Sequence, residues 1–117
     1  MTDVNLVLKR FDTPDELREF DKGKLELVSL GGMTIGRATY QPGWKWSEDV
    51  GSAMNEAYCH AEHVGMVVSG SATAAMANGE IAEVTPGDLF FVPPSPHDSC
   101  VIGDEPYVSL HFIAAAG

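Results

Sequence analysis

Three of the four histidines in this chain lie near turn signals, where imidazoles from separate segments can meet. His60 and His63 are close together in the sequence, and His97 follows a proline-rich corner. Neutral imidazoles that converge in an apolar cavity commonly bind a divalent transition metal. The residue types therefore indicate a site for Zn, Fe, Mn or Ni, with these histidines as ligands.

Cys59 is the natural fourth ligand, because a thiolate joins imidazoles in binding zinc or iron. His60 and His63 are three residues apart, so on one continuous strand they would face opposite sides. A turn at Ala61-Glu62 would instead put them on adjacent strands, both directed at the metal. The alternative is that His60 is exposed beside the turn and that Cys59 is a small buried apolar residue.

A tryptophan pair is the main candidate for a binding pocket. Trp44 and Trp46 lie on one face of an extended segment, with Lys45 on the other. Indole rings at the mouth of a barrel would form an apolar wall for an organic ligand, although they could equally cap a core. The remaining candidates for pocket lining are aromatic or flexible apolar side chains, namely Tyr58, Met66 and Phe90.

The elements that must position these residues are short strands. Turn signals recur about every ten residues, including Gly31-Gly32, Asn78-Gly79 and Pro86-Gly87-Asp88. Asn-Gly predicts a hairpin with a type I′ turn. Strands are predicted over residues 25–30, 33–40, 64–69, 89–92 and 107–113. This spacing favours an all-β sandwich or barrel.

One short helix is predicted near the N-terminus, over residues 13–20. Thr13 supplies an N-cap, Pro14 occupies the first helical position and Glu16 completes a capping box. The expected fold is therefore all-β with this single helix packed on its outside.

The alternation of residues in the last predicted strand indicates that the fourth histidine, His111, lies outside the site. His111 alternates with apolar residues and shares its face with Tyr107 and Ser109. Because the interior of a small barrel is mostly apolar, this polar face is expected to meet solvent.

Length and composition indicate one globular domain, residues 1–117. The chain has 44% apolar and 21% charged residues, which is ordinary for a soluble protein. No apolar run reaches the roughly 18–20 residues of a membrane span, and no leader is evident, so a cytoplasmic protein with reduced Cys59 and Cys100 is expected. A net charge of −10 argues against nucleic-acid or anionic-membrane partners.

The segment 43–112 resembles the cupin superfamily, whose fold is a small jelly-roll barrel. Its second motif, a glycine followed by a proline-rich corner and a histidine, is present at residues 87–97. The chain is more closely similar to small single-domain cupins with Pro-Gly-Trp-x-Trp-Ser-Glu, here residues 42–48, and Gly-Asp-Glu-Pro, here residues 103–106. The resemblance implies a single cupin domain, a barrel over about residues 25–113, and pairing into a homodimer.

The first cupin motif is altered in this chain. His63 stands where the motif has Glu, counted six residues back from Gly70. Depending on turn length, the His-x-His pair is replaced by residues 56–58 or 57–59, which leaves Glu56 or Cys59 as the alternative ligand. The resemblance implies a metal-dependent barrel that binds or transforms a small organic molecule, as an isomerase, cyclase, lyase or dioxygenase. A metal-free binding or sensing module is the alternative.

Overall fold

A computed structural model describes residues 6–114. The described residues form nine strands: β1 (Glu16–Phe20), β2 (Gly23–Leu30), β3 (Met33–Tyr40), β4 (His63–Ser69), β5 (Ser71–Met76), β6 (Ile81–Val84), β7 (Leu89–Val92), β8 (His97–Ile102) and β9 (Tyr107–Ala114). One helix, α1 (Trp46–Asp49), and a 3₁₀ turn (Gly51–Met54) connect β3 to β4. The prediction of an all-β fold is confirmed.

The strands form two antiparallel sheets. The larger has the order β1-β2-β3-β9-β4-β7, and the smaller has the order β6-β5-β8. Buried side chains from both sheets and from the β3–α1 connection form the core: Trp44, Val67, Ala72, Val101 and Tyr107. The last strand is therefore central in the large sheet and has its inner face directed at this core.

The tight turns follow from residues that adopt positive φ angles. Gly31 and Gly32 both do so (φ 59° and 75°) and join β2 to β3 as predicted. The predicted hairpin at Asn78-Gly79 joins β5 to β6, but among these two residues only Gly79 has a positive φ. The turn is consequently not the type I′ turn expected from Asn-Gly, which needs positive φ at both positions.

The prediction of an N-terminal helix over residues 13–20 is wrong. Residues 16–20 form β1, which pairs with β2 in an antiparallel ladder. The Asp15 carboxylate, expected inside the first helical turn, instead accepts a hydrogen bond from the backbone N–H of Ser29 at 2.8 Å and pairs with Lys9. These long-range bonds outweigh a local capping signal, because a two-turn helix is marginal without tertiary support.

Neither helical segment within residues 6–114 has the length and apolar character needed to cross a membrane.

Candidate metal centre

Three potential metal ligands converge between β4, β8 and the segment that precedes β4. Cys59 and His97 are bridged by two backbone hydrogen bonds, of 2.7 and 3.0 Å, and His63 begins β4. One ligand atom from each of the three residues lies within 4.8 Å of the other two. The sequence hypothesis drew on these residues from distant parts of the chain, and the fold brings them together.

The separation of the donors fits a transition metal. The Sγ of Cys59 lies 3.7 Å from Nε2 of His63. Two tetrahedral zinc ligands with bonds of about 2.3 Å to sulfur and 2.0–2.1 Å to nitrogen would be roughly 3.6 Å apart. Cys59 pairs with His97 of β8 and His63 pairs with Val92 of β7, so the short segment between them passes from one sheet to the other and brings the two donors together. The donor set and its spacing therefore suit a zinc-sized cation.

His97 is oriented for ligation. Its side chain is buried, and Nδ1–H donates a hydrogen bond of 2.8 Å to the carbonyl oxygen of Ser95. That bond places the ring proton on Nδ1, so Nε2 carries the free lone pair. Metal-binding histidines are commonly held by such a bond from the other ring nitrogen.

His60 does not join the cluster. The expected turn at Ala61-Glu62 is absent, and residues 60–62 belong to no strand. His60 is exposed and is not one of the converging donors. Glu56 is also exposed and outside the group of converging donors. Of the two alternatives for the first motif, the arrangement at residues 57–59 is the one in which a donor reaches the site.

The expectation that His111 faces solvent is wrong. Its imidazole lines the same cavity as His63, with ring centroids 5.6 Å apart. Its Nε2 shares a hydrogen bond of 3.0 Å with Oγ of Ser109, which is fully buried. In the register of the sheet, His111 is paired with Gly36 on one side and Gly65 on the other. At Gly65 a Cβ would collide with the carbonyl oxygen of Leu110 and the ring of Phe90, so this glycine allows β4 and β9 to approach closely beside His111.

The cavity beside the three donors has a volume of about 90 Å³. Trp44, Trp46 and Phe90 line it, as the sequence analysis proposed. Met66 does not, because it alternates with the inward residues of β4. Tyr58 does not line it either and is 42% exposed, since it precedes Cys59 and has the opposite orientation. The other lining residues are Tyr40, Cys59, His63, Ala72, Thr73, Ala74, Val84, Val92, His97, Ser99, Tyr107, Ser109 and His111.

Burial sets the protonation of the groups in this cavity. It lowers the pKa of His63 to about 4, with a smaller contribution from repulsion by His97. It also lowers the pKa of His111 to about 4, with His63 as the lesser cause. Burial raises the pKa of the Cys59 thiol. Near neutral pH the two imidazoles are therefore uncharged, with lone pairs available, whereas the thiol releases its proton when a cation binds.

Comparison with known proteins shows that this chain resembles several solved structures in fold. No family model and no curated protein matches the chain. A cupin-superfamily sugar phosphate isomerase from Silicibacter pomeroyi is 18% identical, with a TM-score of 0.65, over 92% of this chain and 74% of that one. A double-stranded β-helix protein from Klebsiella pneumoniae is 17% identical, with a TM-score of 0.60, over 94% and 90%. An oxalate decarboxylase from Lactobacillus farciminis is 19% identical, with a TM-score of 0.61, over 86% of this chain but 31% of that one.

At these levels of identity, the likeness concerns the arrangement of the strands. Two facing antiparallel sheets enclose a cavity, and residues from the segment before β4, from β4 and from β8 converge there. These are the segments in which the cupin motifs were located by sequence. The chain has the cupin fold.

Proposed function

We propose that this protein binds one divalent transition metal through Cys59, His63 and His97 and holds a small organic molecule beside it. The observation that carries the proposal is the convergence of one thiol and two imidazoles within 4.8 Å beside the cavity. Three protein ligands leave a further coordination position open, as in catalytic rather than structural zinc sites. The thiolate favours zinc or iron over harder cations.

The residues around the ligands have separate tasks in this proposal. Ser95 fixes the orientation of His97, while the indoles of Trp44 and Trp46 and the ring of Phe90 exclude water from the cavity. A divalent cation held there supplies Lewis acidity that polarises a carbonyl group of the bound molecule. Non-oxidative chemistry such as isomerisation, cyclisation or elimination is the reaction class that we favour, with oxygen chemistry as the alternative for iron.

The similar structures support small-molecule chemistry without naming a substrate. One is described as a sugar phosphate isomerase and another as an oxalate decarboxylase in complex with formate. Both descriptions concern those proteins. For this chain, they support the class of function, which is a barrel that acts on a small polar metabolite.

Elemental analysis of protein purified without an affinity tag tests the proposal. We expect close to one equivalent of Zn, Fe, Mn or Ni in the wild-type protein. The double variant His63→Ala/His97→Ala should retain less than about 0.1 equivalent, because one thiol alone binds a divalent cation weakly. His60→Ala is the matched control and should retain the wild-type amount, since His60 lies outside the cluster. Circular dichroism checks that each variant is folded.

A folded wild-type chain that takes up no metal, even when each cation is supplied, would refute this function. The barrel would then be a metal-free binding or sensing module. Equal loss of metal from His60→Ala and from the double variant would instead show that the ligand set is wrong.

A further inference from the structure

The segment that precedes β4 contains one of the three metal donors and is otherwise exposed to solvent. We propose that residues 52–62 form a flap beside the donors, and that a bound cation is the latch that keeps this flap closed. The flap opens to admit the cation and closes when Cys59 joins His63 and His97 around it. The inference rests on the proposed metal site, because the flap has no latch unless a cation binds there.

Exposure distinguishes Cys59 from the rest of the flap. Residues 52–58 and 60–62 are all exposed, whereas Cys59 is only 8% exposed. Cys59 is thus the one buried residue of the flap. A segment that buries so little surface opens locally at a small free-energy cost. An interaction that holds the Cys59 side chain therefore holds the whole flap.

The backbone of the flap is tied to the sheets at the same residue. Cys59 and His97 exchange two backbone hydrogen bonds, of 2.7 and 3.0 Å. The other backbone bonds of the flap that the described residues show are local and stay within residues 51–56. Two backbone hydrogen bonds hold a segment weakly, because water offers nearly equivalent bonds when the segment opens.

The flap is the part of the donor site that can move. His63 begins β4, which is paired with both β7 and β9 in the large sheet. His97 begins β8, which is paired along its length with β5 in the small sheet. These ladders fix the two imidazoles, whereas Cys59 is attached to exposed chain on both sides. Motion of the flap consequently separates the thiol from the imidazoles.

Burial of the donors makes such an opening necessary. His97 is 4% exposed and Cys59 is 8% exposed, so a hydrated cation does not reach them while the flap is closed. A metal site needs an entry path, and the exposed, locally bonded flap provides one.

A cation attaches the flap to both sheets at once. The Sγ of Cys59 lies 3.7 Å from Nε2 of His63, and the ligand atom of His97 lies within 4.8 Å of both. When the cation binds, the thiol proton leaves to solvent and a metal–sulfur bond forms in its place. The flap is then tied to β4 and β8 through the metal. Loading with metal therefore closes the site, and loss of metal leaves it free to open.

Hydrogen exchange followed by mass spectrometry tests the proposal on the full-length chain. Chelator-treated protein is compared with the same protein after addition of one equivalent of Zn²⁺, and metal content is measured on both samples. We expect the amides of residues 52–62 to exchange at least about tenfold more slowly with Zn²⁺. Amides of the exposed turn over residues 103–106, which contributes no donor, should change by less than about twofold.

The two cysteines provide matched variants. Cys59→Ala removes the latch but keeps both imidazoles, so exchange in the flap should be the same, within about twofold, with and without Zn²⁺. Cys100→Ala changes the other thiol, which pairs with Thr73 and is not one of the converging donors. It should keep the protection of the wild-type protein.

Cleavage by a glutamate-specific protease gives a second measurement. Glu56 is exposed in the flap, and Glu105 is exposed in the turn over residues 103–106. Cleavage requires local opening of the chain. With Zn²⁺, cleavage after Glu56 should slow at least about tenfold, whereas cleavage after Glu105 should keep its rate.

The possible results separate the flap from the metal site. Zn²⁺ that binds without slowing exchange in the flap overturns this inference and leaves the metal site standing. Equal slowing in the flap and in the turn over residues 103–106 overturns it as well, because the effect is then general stabilisation. A wild-type chain that binds no Zn²⁺ overturns both proposals. If Cys59→Ala does not fold, the comparison of wild-type protein with and without Zn²⁺ still decides.

Discussion

In β9 the polar side chains face the inside of the barrel and the apolar side chains face outward, which is the reverse of a typical barrel strand. The inner face carries Tyr107, Ser109 and His111, and Ser109 is fully buried. The outer face carries Val108, Leu110 and Phe112, which are only partly buried. Hydrophobic burial usually directs the apolar set inward.

The same contrast continues into the neighbouring strands. On β4, His63 faces the cavity, whereas the adjacent Val64 is 42% exposed. On β7, Phe90 lines the cavity, whereas Phe91 is 62% exposed. The inner face of this sheet thus holds the polar groups of the site among apolar side chains, and further apolar residues lie on the outer face. Variants on each face therefore separate what the two faces contribute to stability.

Acid should produce the largest effect, and it should act through the inner face. In the metal-free protein His63 and His111 have pKa values of about 4, below the ordinary value of 6.5, because burial disfavours their charged forms. The unfolded chain therefore binds more protons between these values, and the unfolding free energy falls as pH decreases from 6.5 towards 4. Each unit of pKa difference corresponds to about 1.4 kcal/mol per group. Urea unfolding with a chelator present, across this pH range, measures the loss.

A pair of variants assigns this acid sensitivity to the cavity. His111→Gln removes one of the two buried imidazoles, so its unfolding free energy should vary less steeply between pH 6.5 and about 5, where most carboxylates remain ionised. His60→Gln alters an exposed histidine and should follow the wild-type curve. A slope that is identical in all three proteins would show that buried imidazoles are not responsible.

Two glycines beside His111 provide the next comparison. A Cβ at Gly65 would collide with the backbone carbonyl oxygen of Leu110 and with the ring of Phe90. Gly65→Ala should therefore push β4 away from β9 and destabilise the fold by about 3 kcal/mol or more. A Cβ at Gly36 would meet methyl groups of Leu25 and Leu27, at 3.0 and 3.2 Å, and the ends of flexible side chains can move. Gly36→Ala should accordingly cost less than about 1 kcal/mol. Thermal denaturation checks both, and similar losses would mean that the close approach of β4 to β9 at Gly65 does not exclude a side chain there.

Consecutive valines on β4 test the two sides of the sheet directly. Val67 is 1% exposed and belongs to the core, whereas Val68 is 46% exposed at a bulge in the pairing with β9. Val67→Ala should lower the unfolding free energy by about 2 kcal/mol, through lost burial and a residual cavity. Val68→Ala should change it by less than about 0.5 kcal/mol. Equal losses in urea unfolding would contradict the assignment of faces.

The sequence predicted β2, β3, β4, β7 and β9 because their signals are local. Turn residues such as Gly31-Gly32 bound runs of the right length, and the predicted bounds of β3 (Met33–Tyr40) and β7 (Leu89–Val92) agree with the structure. The capping signal at Thr13 is equally local, yet it failed. β1 is a strand because it pairs with β2, and a capping box carries no information about that pairing.

The site was harder to predict. The alternation of polar and apolar residues along a strand separates its two faces but does not show which face is directed into the barrel. That ambiguity put His111 on the wrong side of β9, since the general preference for apolar interiors was applied to a strand that places polar side chains in a largely apolar cavity. Spacing could not separate Cys59 and His63 from His60 either. Cys59 and His63 meet because the first pairs with β8 and the second with β7, and such long-range pairing is not encoded in the spacing of nearby residues.

The smallest effect should come from the most exposed aromatic ring on the outer face. Phe91 on β7 is 62% exposed, so Phe91→Ser should change the unfolding free energy of the monomer by less than about 0.5 kcal/mol. Its neighbour Phe90 lines the cavity, and Phe90→Ser should cost about 3 kcal/mol, because the inward ring is replaced by a hydroxyl and a void. Urea unfolding at several protein concentrations distinguishes the two. A large, concentration-dependent loss for Phe91→Ser would show that a second copy of the chain covers this face, and the homodimer expected from the resemblance would then be built on the apolar side of the sheet.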